Sequence, residues 1–312
     1  MKPVILVPII IGAALLVTGG VVVAIGLANS SNFETVANEY TIEEAFENFD
    51  IDLSTANLEF KVQDNTTKKV VCVESTKQHH DVKVTNNALT IKQVDERKWY
   101  EKLFSPWNMK VTVYLPSATY GDLKIESSTG RVDIPADYTF NSLNMSLSTG
   151  NVNIKSNVTN TTSIEASTGD ISLSDITTNE LKVKASTGDV SVNNVQVATS
   201  STIQTSTGRV SLNNVASKNL NIKVSTGYVK LTNTVIEEHM EIKASTGDIK
   251  ISESDAATIK IETSTGDVDA TLLTSKIVYA ESDTSTPDVP KSTEGGLCEI
   301  KTDTGRIKVR FK

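Results

Sequence analysis

The sequence predicts an all-β fold: a single-chain parallel β-solenoid of about ten coils, preceded by one N-terminal transmembrane helix. Three observations predict it. Ser-Thr-Gly recurs eight times at intervals of 19 or 20 residues, ending at Gly130, Gly150, Gly169, Gly188, Gly208, Gly227, Gly247 and Gly266. Aliphatic and polar residues alternate at fixed offsets on both sides of each glycine. Residues Val4 to Ala28 are uncharged and mostly aliphatic. A fixed period of this length marks a solenoid, in which each repeat is one turn about a common axis.

Residues 1–28 read as a cytoplasmic tip and a membrane span. As a helix the 25 residues from Val4 to Ala28 reach ~37 Å, enough to cross a hydrocarbon core of ~30 Å. Gly26-Leu27-Ala28 resembles a small-x-small cleavage site, so a cleaved signal peptide is the competing reading. The run exceeds the usual signal core of about 7–15 apolar residues, which favours a retained anchor. Lys2 and the amino terminus carry the only flanking positive charge, and residues 29–60 contain no Lys or Arg. That asymmetry predicts a single-pass protein of the cell membrane with its C-terminal domain extracytoplasmic. Residues 29–48 read as a short juxtamembrane linker that tethers the outer domain close to the bilayer.

Residues 49–122 read as an irregular β N-terminal cap. Phe49, Ile51 and Leu53 alternate, Ser54-Thr55-Ala56 is a degenerate corner, and Leu58 and Phe60 follow. Val82 and Val84, the Asn86-Asn87 turn, then Leu89 and Ile91 read as a hairpin. Val111, Val113 and Leu115 form another strand, stopped by Pro116. Four aromatic residues, Trp99, Tyr100, Phe104 and Trp107, crowd one stretch of a chain that is only 5% aromatic. They read either as a flap over the open end of the β core or as a contact to lipid headgroups or a partner.

Residues 123–312 are the β-solenoid repeats. Pairs such as Leu181/Val183 and Ile259/Ile261 lie seven and five residues before a glycine, and pairs such as Val190/Val192 and Ile249/Ile251 lie two and four after it. Period-two alternation on both sides means strand on both sides. The inward parity flips across Ser-Thr-Gly, so the tripeptide is a corner whose glycine adopts a backbone that a Cβ disfavours. A ninth copy reads Ser285-Thr286-Pro287, and a tenth, Asp303-Thr304-Gly305, supplies the last corner at Gly305. Pro287 and Pro290 predict a bulge in the rod near residues 275–296. Arg306, Lys308, Arg310 and Lys312 alternate with apolar residues, a pattern that protects an open sheet edge or binds an anionic envelope polymer.

The chemistry-bearing residues are sparse. Net charge is −8, and without Lys2 the balance is 29 basic to 38 acidic residues, which argues against a nucleic-acid partner. The residues after the corner glycines, including Asp170, Asp189, Asp248 and Asp267, stack as an outward rank. Each coil offers one carboxylate, too few for a calcium β-roll, so the rank reads as a solvated charge ladder. Cys298 occupies an inward position and reads as a small core residue, and nothing in its spacing from Cys72 supports a disulfide or a zinc site. The histidines are a surface-type pair, His79-His80, and lone His239. No nucleophile–base constellation or phosphate loop is visible, so no catalytic residue, cofactor or metal is assigned.

The iterated Ser186-Thr187-Gly188-Asp189-Val190 and Ser245-Thr246-Gly247-Asp248-Ile249 resemble the bacterial putative-adhesin family, a β-solenoid domain of unknown function. Phe49–Phe60 is similar to that family's opening strand, as is the strand Val111–Leu115 before Pro116. The resemblance covers roughly residues 45–312, and Pro287 and the irregular coil near residues 275–296 depart from the pattern. It implies a β-solenoid, often behind one transmembrane helix, and brings no catalytic residues. Some relatives lie in envelope-stress operons, which implies a sensing or scaffolding role. The expected function is thus a membrane-anchored adhesin or scaffold surface, with an envelope glycan or a membrane protein as partner. An accessory part in envelope-stress signalling is the alternative, and a polysaccharide-active enzyme a minor one.

Overall fold

A computed structural model describes residues 35–98 and 109–312. The predicted membrane span and the aromatic residues Trp99, Tyr100, Phe104 and Trp107 lie outside the described residues. Among those described, no helix is long and apolar enough to cross a membrane.

The described chain is all-β, and its strands stack in parallel register about one axis. One inward column shows how. Ile125 pairs with Met145, Met145 with Ile164, and the column continues through Val183, Ile203, Ile222, Ile242 and Ile261 to Ile300. None of these side chains is more than 2% exposed. Flanking columns are equally buried, so every turn adds a layer to one continuous core. A single turn buries too few side chains to offset the entropy of ordering its backbone, and only stacking stabilises it.

The corner is set by two independent constraints. The nine repeat glycines have φ between +136° and +156°, a region side chains rarely enter. A Cβ built on any of them would sit 1.7–2.0 Å from the carbonyl oxygen of the corner residue one turn below. Gly130 stands on Ala56, and the column ends with Gly305 standing directly on Gly266. The stack therefore has about nine turns rather than ten. The Ser285-Thr286-Pro287 copy is not the corner that stands on Gly266, because Gly305 occupies that place.

Its real position explains the irregular segment. The strand Gly296–Thr304 pairs with Ile249–Thr265 on one side and with the earlier strand Lys276–Ser282 on the other. Asp288 bridges to Lys308 in the same sense. Residues 276–288 are thus a partial terminal turn laid outside the residues that follow them. In place of the expected bulge, the chain order is inverted. Ser282 and Ser285 hydroxyls each donate to the Gly305 carbonyl at 2.7 Å, closing the corner where proline replaces glycine.

The opposite end is inverted as well. Asn48–Thr55 and Asn57–Val62 form the turn beneath Gly130, with Thr55 opposite Thr129. Ala88–Asp95 and Lys110–Leu115, later in sequence, stack on its outer side. The turn is then closed by antiparallel strands: Lys68–Ser75 on Lys110–Leu115, Gln78–Thr85 on Ala88–Asp95, and Thr35–Ile42 outermost on Lys68–Ser75. The Asn86-Asn87 turn has φ of 52° and 62°, left-handed at both positions, as a two-residue hairpin needs. Between these turns the core is aromatic: Phe49 meets Phe46, Phe60, Tyr120 and Phe140 edge-on at 5.4–5.9 Å.

Candidate functional site

Three places on the rod carry polar groups in an ordered arrangement. The first is the rank just after the corner glycines. The Asp189 amide donates to Asp170 Oδ1 at 2.9 Å, and Arg209 N–H to Asp189 Oδ1 at 2.7 Å. Asp267 N–H meets Asp248 Oδ1 at 2.9 Å, and Arg306 N–H meets Asp267 Oδ1 at 2.8 Å. Each carboxylate therefore reaches one turn up and accepts an amide at the corner. Asp170, Asp189 and Asp248 are exposed, as a solvated charge ladder requires, and the rank is in addition a side-chain-to-backbone ladder. One oxygen of each carboxylate, Oδ1, is engaged in holding turns together. Arg306 adds a two-pronged contact to Asp267 at 3.0 and 2.6 Å, which holds the Asp267 carboxyl below the usual carboxylate range.

The second place is a shallow trough along the rod axis. Lys184, Gln204, Lys223 and Lys243 form one bank, and Ser186, Ser206, Ser225 and Ser245 the other. Its floor is the buried or nearly buried row Ala185, Thr205, Val224 and Ala244. Each position repeats once per turn, so equivalent groups recur at the inter-strand spacing of ~4.8 Å. Lys243 is shared between Glu241 at 2.9 Å and Glu262 at 3.5 Å.

The third place was not read from the sequence as a site. Val70, Cys72 and Glu74 face inward from Lys68–Ser75, and Gln78 and His80 from Gln78–Thr85. His80, expected as part of a surface pair, is 2% exposed, whereas His79 is half-buried. Two-residue alternation with Val82 and Val84 is the signal that places it inside. Glu74 accepts from Asn38 Nδ2 at 2.5 Å, the His80 amide at 2.6 Å and the Tyr40 hydroxyl at 3.2 Å. His80 Nδ1 lies 2.9 Å from Glu74 Oε1. Burial pushes the imidazole below its ordinary pKa, and Glu74 opposes that shift only in part. Burial and the nearby Glu74 together push the Cys72 thiol up to about 12.

Both cysteines are free and buried, at opposite ends of the rod, so no disulfide joins them. The basic C-terminal strand Ile307–Phe311 pairs with Val268–Leu272 along one side and carries a single bridge, to Asp288, on the other. Arg310 binds Asp288, and Lys312 binds Glu253 at 2.9 Å. These charges also hold neighbouring segments.

Stacked corners, inward aliphatic columns and closed ends define the class as a single-chain parallel β-solenoid. The chain belongs to the Toastrack family, DUF4097, which it matches over residues 46–310. No curated protein matches it. Among solved structures it is similar to a putative adhesin from Bacteroides fragilis NCTC 9343, at 15% identity over 88% of this chain and 97% of that one, with a TM-score of 0.42. A putative adhesin from Parabacteroides distasonis ATCC 8503 matches at 12% identity over 90% and 98% of the two chains, TM-score 0.46. A structure described as a putative lipid binding protein from the same organism matches at 13% over 88% and 96%, TM-score 0.40.

Proposed function

We propose that this chain is a membrane-anchored, extracytoplasmic scaffold whose long outward face binds an extended envelope component. The observation that carries the reading is the trough, where Lys184, Lys223 and Lys243 stand opposite a row of serine hydroxyls at one set per turn. A linear glycan with spaced hydroxyl and acidic groups matches such a surface by repetition, each turn adding one weak contact. The apolar run Val4–Ala28 holds the rod at the membrane in this reading.

The test is capture of cell-wall glycan by the full chain in detergent, compared with the triple variant Lys184→Glu/Lys223→Glu/Lys243→Glu. Capture by the parent and its loss in the folded variant are expected. Equal capture by both removes the trough from consideration. Proximity labelling in the parent cell tests the second reading, an accessory of an envelope-stress system: a membrane protein labelled without any glycan capture would favour it.

A further inference from the structure

We propose that Cys72, Glu74 and His80 bind a single borderline-soft divalent metal ion, with zinc the natural occupant. Cys72 Sγ, a Glu74 carboxylate oxygen and a His80 ring nitrogen all lie within 4.8 Å of one another. The three residues are 0%, 2% and 2% exposed. Zinc ligands at about 2.0–2.3 Å from the metal stand roughly 3–4 Å apart, so a small inward movement of the side chains closes the triangle. Elsewhere the inward positions of the rod are mostly aliphatic, and among the described residues no other group of three metal-ligating side chains converges in this way.

Two observations point to a cation rather than a self-contained polar patch. His80 Nδ1 already meets Glu74, yet among the described residues His80 Nε2 is buried without a hydrogen-bond partner. Whichever tautomer is assigned, one buried ring nitrogen is left without a protein partner among the described residues, a cost that native structures avoid. The second observation is charge. Among the described residues the one ion-pair partner of Glu74 is His80, and its remaining donors, Asn38, Tyr40 and a backbone amide, are neutral. A thiolate, a carboxylate and a neutral imidazole around a doubly charged ion sum to zero, the balance a buried site requires. Sulfur with imidazole selects zinc or cobalt over calcium or magnesium. Asn38 and Tyr40 then serve as outer groups that hold the carboxylate in place.

Cobalt(II) is the probe, because its thiolate charge-transfer band reports sulfur ligation directly. The full chain is purified in detergent, unfolded with chelator and refolded with cobalt. One equivalent is expected to produce the charge-transfer band, and zinc to displace it. Cys72→Ser abolishes the band, and His80→Gln weakens binding by at least about tenfold. A band that survives Cys72→Ser, or affinity unchanged in His80→Gln, overturns the site. If a variant fails to fold, the parent spectrum decides alone: a refolded chain without a sulfur-to-cobalt band refutes the proposal.

Discussion

Replacing Gly188 by Ala tests the stacking of corners in the middle of the column. The new Cβ would lie 2.0 Å from the Gly169 carbonyl oxygen and 2.6 Å from its carbon. To restore ordinary contact the two turns must part by about 1.4 Å. Two of the bonds that span that gap lie closest to the glycine, Gly169 N–H to Thr187 O and Asp189 N–H to Asp170 Oδ1, both 2.9 Å. Parting breaks both, at about 0.5–1.5 kcal/mol each. The backbone itself, at φ +142°, adds about 1–3 kcal/mol of strain for a residue with a side chain. The sum is a loss of about 2–6 kcal/mol. Urea denaturation of the full chain measures it through the shift in midpoint at constant slope. Ser186→Ala, exposed on the same corner, is the control and should change stability by less than about 0.5 kcal/mol. If Gly188→Ala loses no more than the control, the corners are not in contact and the stacked column is wrong.

Asp189→Ala removes the acceptor for the Arg209 amide and should cost about 1 kcal/mol, while Asp189→Asn, which keeps an oxygen there, should cost a few tenths at most. Equal losses in denaturation experiments would show that charge, not the hydrogen bond, is what matters. Lys276 and Asp255 form a nearly buried pair at 2.7 Å under the terminal turn. Lys276→Met leaves the carboxylate uncompensated and should cost about 3–5 kcal/mol, with the double variant Lys276→Met/Asp255→Leu recovering most of it. A neutral single variant would refute the pairing. Burial pushes the Cys298 thiol up to about 12. It stays protonated in the fold while an unfolded thiol ionises near 9, so stability is intact below that pH and falls as pH rises from about 9 toward 12. Cys298→Ala should flatten that part of the alkaline stability profile. At pH 8 the parent thiol should react with a thiol reagent only after unfolding.

Much of this fold is legible in the residues themselves. The glycine period and the parity flip between Val183 and Val190 dictate strands around a corner, and both side chains are buried. The chain order at the ends is not legible, for a physical reason. Val278 and Cys298 carry the same inward pattern, and nothing local says which of them stacks on Ile259; only the paired register shows that Cys298 does. The aspartate rank was visible as a pattern, but its bond to the next amide depends on the distance between turns, which no sequence displays. His80 is the instructive miss: its alternation with Val82 and Val84 was plain, yet adjacent histidines suggested solvent. Cys72 and Glu74 lie six or more positions away, and only the tight hairpin from Ser75 to Gln78 brings them to it.

The inverted order at the far end has a consequence for how the molecule is made. Residues 276–288 leave the growing chain before residues 296–311, yet their template is that later stretch. In the finished rod they rest on that stretch, which itself lies on Ile249–Thr265 and Val268–Leu272. A chain stopped short of Gly296 would therefore present a raw, adhesive sheet margin along with an orphaned strand. The final segment acts as a keystone, holding the earlier strand and the turn beneath it at once.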